Sequence, residues 1–285
     1  MQHDFRGRRA RGPLPAQPGI SRRAVISGLG ALAAGLATAG PASARDFWGT
    51  PTADLPADFL FGYGTLISEP SRTGTSGRRV AAVAARISPR VGYVRGFVAR
   101  AGGRSGAGFT ALGLRRARAD ETPCSVNGVI FPVLDAAEMA AFDRREGGYR
   151  RVEVDPALIE PVGWQNLPRA ARIWIYVPRG RSGDLADDLM LPDADFPLVQ
   201  SYIDVVLQGA LAEGAAFARE LVETTFDWSR FWLDDRPTPR RPWSSTEQAG
   251  AIDRLLASVE PAAGQFANRL YPEVYAARHL LAPAR

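Results

Sequence analysis

The order of strand-like and helix-like segments constrains the fold of this chain most. Apolar, partly alternating runs of strand length recur in the first two thirds, at 59–63, 80–87, 90–99, 109–117, 127–134, 149–162 and 172–178. A helical pattern interrupts them; it opens with Asp135 and Glu138 in capping-box spacing and ends at Gly147 and Gly148. From residue 197 onward the spacing is helical. The sequence therefore predicts an α+β fold, a compact mixed β-sheet or barrel with a helical C-terminal extension.

Residues 1–44 have the features of an export signal. Arg22 and Arg23 precede a weakly apolar run rich in Gly and Ala, and Ala42, Ser43 and Ala44 close it with small residues. Ser21 with the two arginines resembles the twin-arginine motif. We therefore predict a cleaved twin-arginine signal peptide and a periplasmic or extracellular mature protein. An uncleaved anchor is the alternative, because the uncharged run is long enough to span a bilayer.

Three further segments follow the predicted leader. Residues 45–57 are rich in proline and predict an extended linker, and 58–183 contain the strand-rich domain. Within that domain, 70–79 are Ser, Thr, Gly and Arg and predict a loop. Residues 190–285 are predicted to form the helical extension, packed on the core.

The net charge of +5 belongs to the leader. Residues 1–44 contain six arginines and one aspartate, a net of 6 − 1 = +5, which leaves 35 − 6 = 29 basic and 30 − 1 = 29 acidic residues in the remainder. A neutral mature chain lacks the electrostatic attraction on which nucleic-acid binding rests. We therefore predict no nucleic-acid partner, and contact with a membrane only through export of the leader.

Several catalytic residue types are scarce. The chain has no lysine, which excludes Schiff-base chemistry and a P-loop lysine. Its histidines are His3 and His279 and its one cysteine is Cys124, so a metal site built from imidazoles or thiolates is not expected. Carboxylates, hydroxyls and backbone amides remain for any chemistry.

The stretch FGYGTL ends the first strand of the domain with two glycines, Gly62 and Gly64. Glycines at such a position allow unusual backbone angles and close approach of a ligand. Successive backbone N–H groups in such a turn form an anion-binding concavity. An ordinary strand end is the alternative reading of the same residues.

Glu146 lies at the predicted end of the helix, before two glycines and a strand. The partial negative charge of a helix C-terminus and burial in a cleft both predict a raised pKa for this carboxyl group, which suits general acid and base catalysis. The alternative is a solvated carboxylate paired with Arg144, Arg145 or Arg150. Asp143, one turn earlier, is interpreted as a surface residue.

FGYGTL followed by REGGYRRV resembles the γ-glutamylcyclotransferase-like family over residues 59–178. Four residues match that family's turn, F-x-Y-G-S-L: Phe61, Tyr63, Gly64 and Leu66. Thr65 stands where serine is usual. Glu146 matches the family's catalytic glutamate at a helix end, with Tyr149 after it. This short spacing is more similar to the glutathione-degrading ChaC-type branch than to the γ-glutamylamine branch.

The resemblance implies an enzyme that releases 5-oxoproline from a small γ-glutamyl compound without a metal or cofactor. The α-amine of the substrate attacks its own γ-amide carbonyl, and Glu146 acts as general acid and base. The substrate-binding residues that the resemblance implies are Tyr63, Gly64, Thr65, Leu66 and Tyr149. The backbone amides of the turn would hold the α-carboxylate.

Two other functions stay open. A binding module on the same fold would keep the pocket and lack turnover. A γ-glutamyl transferase would use the same pocket with a larger acceptor. The helical region lies outside the family pattern, so the resemblance does not identify the amine that is released from the γ-glutamyl substrate.

Overall fold

The computed structural model describes residues 45–47, 50–52, 56–102, 108–167, 170–180, 189–237 and 247–281. The predicted signal peptide, residues 1–44, lies outside the described residues. Within the predicted linker, strands β1 (Arg45–Phe47) and β2 (Thr50–Thr52) pair antiparallel.

A mixed six-stranded sheet forms the centre of the strand-rich part. Its strands are β3 (Asp58–Gly62), β4 (Val83–Ile87), β7 (Val126–Val133), β8 (Tyr149–Val154), β9 (Ile159–Pro161) and β10 (Arg172–Pro178). Their spatial order is β8-β10-β3-β7-β4-β9, and β10 with β3 is its parallel pair. The predicted strand 149–162 is divided, because a 3-10 turn at Pro156–Leu158 separates β8 from β9.

A second sheet joins the two halves of the chain. Strands β5 (Tyr93–Gly102) and β6 (Gly108–Arg116) pair antiparallel, and β12 (Thr225–Phe226) pairs parallel with β5. A further short pair, β11 (Leu198–Val199) and β13 (Trp232–Leu233), is parallel. Over the described residues, both large sheets are open, so the fold is a mixed α+β fold with no closed barrel.

The helices of the first half are α1 (Glu69–Ser76) and α2 (Ala136–Arg145). The predicted loop at 70–79 was wrong: Pro70 occupies the first turn of α1, where its missing N–H costs nothing, and the buried Arg72 donates to the carbonyls of Leu66 and Ile67. These contacts hold the helix against the preceding turn. Tertiary contacts thus override the weak helix propensity of Ser, Thr and Gly.

The predicted N-terminus of α2 is confirmed. The Asp135 side chain accepts the Glu138 N–H at 2.8 Å, and the Glu138 carboxylate accepts the Leu134 N–H at 2.7 Å. The predicted glycine cap at the other end was wrong. Glu146 itself is the C-cap, with φ −92° and ψ 35°, and among the described glycines only Gly77, Gly92 and Gly214 have a positive φ.

The second half contains the predicted helices: α3 (Gln200–Glu213), α4 (Ala215–Glu223), α5 (Ala249–Ser258), α6 (Ala263–Phe266) and α7 (Pro272–Tyr275). The helical spacing did not predict the strand β11 at its start or the break between α6 and α7. A π-helical turn at Ala276–Leu280 follows α7. No helix within the described part of the chain is both long enough and apolar enough to span a bilayer.

Strand β3 separates two hydrophobic clusters. Side chains alternate between the faces of a strand, so Phe59 and Phe61 enter one cluster and Leu60 enters the other. The cluster around Leu60 also contains buried residues of α3 and α4, such as Ile203 and Leu221. The helices of the second half therefore cover one face of the six-stranded sheet.

A fully buried arginine ties the two sheets to the second half of the chain. Arg95 donates to the backbone and side-chain oxygens of Asn127, to the hydroxyls of Thr224 and Thr225, and to the Leu221 carbonyl. Burial lowers the pKa of Arg95 to about 10. Because uncharged oxygens accept its N–H groups, the guanidinium is satisfied by hydrogen bonds, and no residue in the described part of the chain forms a salt bridge with it.

Candidate active site

One cavity of about 430 Å³ opens where β3, β6, β10, α2 and α3 meet. All six site residues predicted from the sequence line it: Tyr63, Gly64, Thr65, Leu66, Glu146 and Tyr149. Residues about 80 positions apart along the chain thus share one cavity. The volume is in the range of small-molecule sites.

The turn after β3 enters a 3-10 helix at Thr65–Ile67. The Ile67 N–H donates to the Gly64 carbonyl at 2.9 Å, and the Ser68 N–H donates to the Thr65 carbonyl at 3.1 Å. The N–H groups of Thr65 and Leu66 precede these bonds, so they have no acceptor within the helix itself. Because Thr65 and Leu66 line the cavity, these N–H groups are candidate donors to an anionic group.

The two glycines of the turn have different roles. A Cβ on Gly62 would lie 2.6 Å from the Leu66 Cβ, so the turn folds back on a residue without a side chain. Gly64 faces Tyr202, whose hydroxyl would lie 3.4 Å from an added Cβ. Neither glycine has a positive φ. The expected unusual backbone angle is present at Gly64, whose φ of −127° and ψ of −130° lie outside the α and β regions. At Gly62 the reason for glycine is the close approach of Leu66.

Glu146 follows α2 and lines the cavity with a side chain that is 16% exposed. The Arg145 Nε lies 3.0 Å from its Oε1. The arginine pairing that the sequence offered as an alternative is present, but the carboxylate is largely buried rather than solvated. The guanidinium attracts negative charge and so opposes the helix-end effect on which the sequence prediction relied.

Arg145 also reaches the turn. Its Nη2 donates to the Thr65 hydroxyl at 2.8 Å. Thr65 and Glu146 are therefore bridged by a single planar guanidinium. Asp143 is outside this arrangement: it accepts hydrogen bonds from Arg151 and from the Tyr176 hydroxyl, and its side chain is 44% exposed.

Two tyrosine hydroxyls hold the backbone of Leu112 at the floor of the cavity. The Tyr149 hydroxyl donates to the Leu112 carbonyl at 2.8 Å, and the Leu112 N–H donates to the Tyr202 hydroxyl at 3.0 Å. Leu112 lies beside a β-bulge, because the β5–β6 register shifts between Phe97 and Ala99. A bulge interrupts the ladder, so backbone groups next to it need side-chain partners.

The hydroxyl of Tyr63 is directed to the sheet. It donates to the backbone carbonyl of Tyr176, and the residue is 5% exposed. Burial, and then the negative charge of Glu146, raise the pKa of the Tyr63 phenol well above its usual range. This tyrosine is a neutral hydrogen-bond donor with a fixed partner.

Arginines dominate the charge of the lining. Arg100, Arg144 and Arg145 lie on the wall, against Glu146 as the carboxylate. Arg100 is held by Asp193 at 2.6 Å, by the Thr110 hydroxyl and by the Phe196 carbonyl. The wall retains an excess of positive charge, which favours an anionic ligand.

Sequence reasoning missed Tyr202 and underestimated Arg145. Tyr202 lies in α3, outside the segment that carries the family resemblance, and nothing in its local sequence marks it. Arg145 was considered only as a partner that would hold Glu146 in solvent. Its neighbours Ser71 and Thr75 belong to α1, which the sequence did not predict.

Within the described residues, no group of three or more His, Cys, Asp or Glu side chains is placed to hold a metal ion. Tyrosine hydroxyls, the Thr65 hydroxyl, arginines, backbone amides and one glutamate are the polar groups of the described lining. This set suits hydrogen bonding to a carboxylate and transfer of a proton.

No family model matches the chain, and no curated protein matches it. Among solved structures, it is similar to a γ-glutamyl cyclotransferase at 13% identity and a TM-score of 0.41, over 69% of this chain and 98% of that chain. A γ-glutamyl cyclotransferase specific to glutathione, from yeast, aligns at 12% identity and a TM-score of 0.37, over 75% and 96%. An uncharacterised protein from Homo sapiens aligns at 15% identity and a TM-score of 0.37, over 57% and 85%.

Proposed function

We propose that the chain is a γ-glutamylcyclotransferase-like enzyme that converts a small γ-glutamyl compound into 5-oxoproline and a free amine. The observation that carries this proposal is the cavity in which Glu146 and the turn at Gly64–Leu66 lie together, bridged by Arg145. The sequence resemblance supplies the reaction, and the positive lining is compatible with a substrate that carries a carboxylate.

In this proposal the turn and Glu146 have separate roles. The N–H groups of Thr65 and Leu66 bind the α-carboxylate, which orients the α-amine toward the γ-carbonyl. Glu146 accepts a proton from the amine as the new N–C bond forms. It then donates that proton to the leaving nitrogen as the amide bond breaks. Water is not consumed, because the α-amine replaces the leaving nitrogen on the same γ-carbonyl carbon. The proton that the amine loses is the one that the leaving nitrogen gains.

Holding the substrate bent is the main contribution of the protein. The amine and the carbonyl belong to one molecule, and well-oriented intramolecular reactions reach effective molarities of ~10⁵ M or more. Tyr149 and Tyr202 fix the floor at Leu112, so the cavity is shaped before the substrate enters. A fixed floor limits the conformations that the bound substrate can adopt.

A substrate panel tests the proposal. The mature protein is incubated with γ-glutamyl amino acids, γ-glutamylamines and glutathione, and 5-oxoproline is measured by mass spectrometry. We expect product with the wild type and with Glu153→Gln, which replaces an exposed residue of β8 as a control, and release at least ~10²-fold slower with Glu146→Gln. Binding without turnover would favour a binding module, and a transferred γ-glutamyl group would favour a transferase.

A further inference from the structure

The guanidinium of Arg145 has five N–H donors, and the four on its two Nη atoms donate hydrogen bonds, while Nε makes an ion-pair contact. Nε faces the Glu146 carboxylate at 3.0 Å. Nη1 donates to the Ser71 carbonyl at 2.7 Å and to the Thr75 hydroxyl at 2.6 Å. Nη2 donates to the Thr65 and Ser71 hydroxyls, both at 2.8 Å.

These partners belong to three separate elements. Ser71 and Thr75 lie on one face of α1, four residues apart, Thr65 opens the 3-10 turn, and Glu146 caps α2. The Arg145 side chain is 23% exposed, so most of this network is shielded from water. Among the described residues, Glu146 is the carboxylate within salt-bridge distance of Arg145.

We propose that Arg145 is a positioning residue that fixes the Glu146 carboxylate relative to the turn that carries Thr65. This inference rests on the proposed function, in which Glu146 exchanges the proton and the turn binds the substrate. The four Nη N–H groups are all engaged by α1 and the turn, which fixes the plane of the guanidinium and places Nε beside the Glu146 carboxylate. The carboxylate is thereby held at one place on the cavity wall.

The geometry explains why a cation stands next to the proposed base. A free carboxylate at a helix end rotates about several bonds, and misplacement by about 1 Å can reduce a rate by about 10²-fold. The contact with Arg145 restricts that rotation. Ser71 and Thr75, which bind Nη1 of Arg145 from α1, do not line the cavity, whereas Arg145 itself does. The guanidinium is therefore held by residues outside the cavity while it contributes to the cavity wall.

The first experiment compares turnover in three single variants of the mature protein. Arg145→Gln removes the charge and the fork, Arg145→Lys keeps the charge, and Arg150→Gln is the matched control, an exposed arginine of β8 that does not line the cavity. On the best substrate of the panel, we expect Arg145→Gln to lower kcat by about 10²-fold with KM within about threefold. Arg145→Lys recovers part of the loss, and the control stays at the wild-type rate.

A double variant guards against a failure to fold. Ser71→Ala with Thr75→Val removes two hydroxyl partners of Arg145 on α1 and leaves every residue of the cavity lining in place. We expect kcat to fall about fivefold with KM unchanged, because the guanidinium loses part of its anchor. Wild-type kcat in this variant and in a folded Arg145→Gln protein would overturn the inference.

The second experiment does not require turnover. The Glu146 carboxyl carbon is followed by ¹³C NMR through a pH titration of the wild type, Arg145→Gln and Arg150→Gln. The titratable groups near Glu146 include the Arg145 guanidinium, the Tyr63 and Tyr176 phenols, which feel its charge, and Arg144 on the same wall. Removing the nearest cation favours the protonated carboxyl group, so the Glu146 titration moves to higher pH in Arg145→Gln and stays in place in the control.

The two experiments separate the inference from the proposed function. If the wild type forms no 5-oxoproline from any compound of the panel, the proposed function fails, and the NMR titration still tests the contact between Arg145 and Glu146. If the wild type is active but Glu146 titrates at the same pH with and without Arg145, the positioning role is wrong while the proposed function stands.

Discussion

Helix α3 crosses the turn after β3 so closely that a Cβ on Gly209 would lie 2.6 Å from the backbone nitrogen of Ser68. On the same helix, the Tyr202 hydroxyl faces Gly64. Tyr202 and Gly209, seven positions apart in the second half of the chain, thus both contact the turn that lines the cavity. A role of these helices in holding the turn follows from that contact.

Gly209→Ala is expected to destabilise the protein. The added methyl group meets backbone atoms of Ile67 and Ser68, which cannot rotate away as a side chain can. Overpacking costs about 1–3 kcal/mol, which exceeds the ~1 kcal/mol that alanine gains over glycine inside a helix. Urea unfolding measures the change, and we expect KM for the substrate to rise because the turn is displaced.

Gly250→Ala is the matched control for this prediction. Gly250 lies in α5, is exposed, and an added Cβ would meet only the end of the Arg254 side chain at 3.5 Å. Alanine should therefore stabilise that helix by up to ~1 kcal/mol. Equal unfolding midpoints for the Gly209 and Gly250 variants would show that α3 does not press on the turn.

Tyr202→Phe is expected to weaken both stability and turnover. The change leaves the buried Leu112 N–H without its acceptor, and an unsatisfied buried donor costs about 1–3 kcal/mol. The Leu112 backbone at the floor of the cavity then keeps only the hydrogen bond from the Tyr149 hydroxyl, so kcat/KM should fall. Denaturant unfolding and steady-state kinetics measure these effects. An unchanged kcat/KM would show that the Tyr202 hydroxyl does not contribute to turnover.

Glu121 should make part of the stability depend on acid. Its hydrogen bonds from Arg115 lower the pKa of this carboxyl group from about 4.5 to about 2. The stabilisation is therefore complete above the unfolded value and is lost as the pH falls from about 4.5 toward 2. In Glu121→Gln this part of the acid-induced decline in unfolding free energy should be absent, and the variant should be less stable at pH 7.

The control for this pH dependence is Glu223→Gln. Glu223 pairs with Arg219 on the surface of α4, with both side chains about half exposed, and such pairs contribute ~0–1 kcal/mol. Its pH profile should match that of the wild type. A wild-type profile in Glu121→Gln instead would exclude the buried pair as the cause of the acid sensitivity.

Export can be tested apart from catalysis. We propose that Arg22 and Arg23 direct the chain through the twin-arginine route, so replacing both with alanine should retain it in the cytoplasm with its leader attached. Fractionation of cells and immunoblotting of each fraction measure the location. Export that is unaffected by the double replacement would reject the twin-arginine signal.

Much of the fold follows from local sequence. The apolar run at Phe59–Phe61 predicted a buried strand, and β3 is one, because each face of it packs in a hydrophobic cluster. The capping residues Asp135 and Glu138 predicted where α2 begins for a reason that is local, a side chain accepting an N–H three residues away. Such signals require no knowledge of the rest of the molecule.

Features that depend on distant partners could not be predicted in this way. Helix α1 has the composition of a loop, and the hydrogen bond from Arg145 to the Ser71 carbonyl comes from a residue 74 positions away in the sequence. Glycine at Gly62 was predicted to supply an unusual backbone angle, whereas the reason is the approach of Leu66. The contribution of Tyr202 arises only when α3 folds onto the turn.

The measurement that tests the central claim most directly is 5-oxoproline release under single-turnover conditions by the wild type and Glu146→Gln, with both proteins shown to be folded. Gln keeps the size of the side chain and removes its ability to exchange a proton. We predict release by the wild type and loss of at least ~10²-fold of that rate in the variant, as expected for a general acid and base. Equal rates in the two proteins would contradict the account.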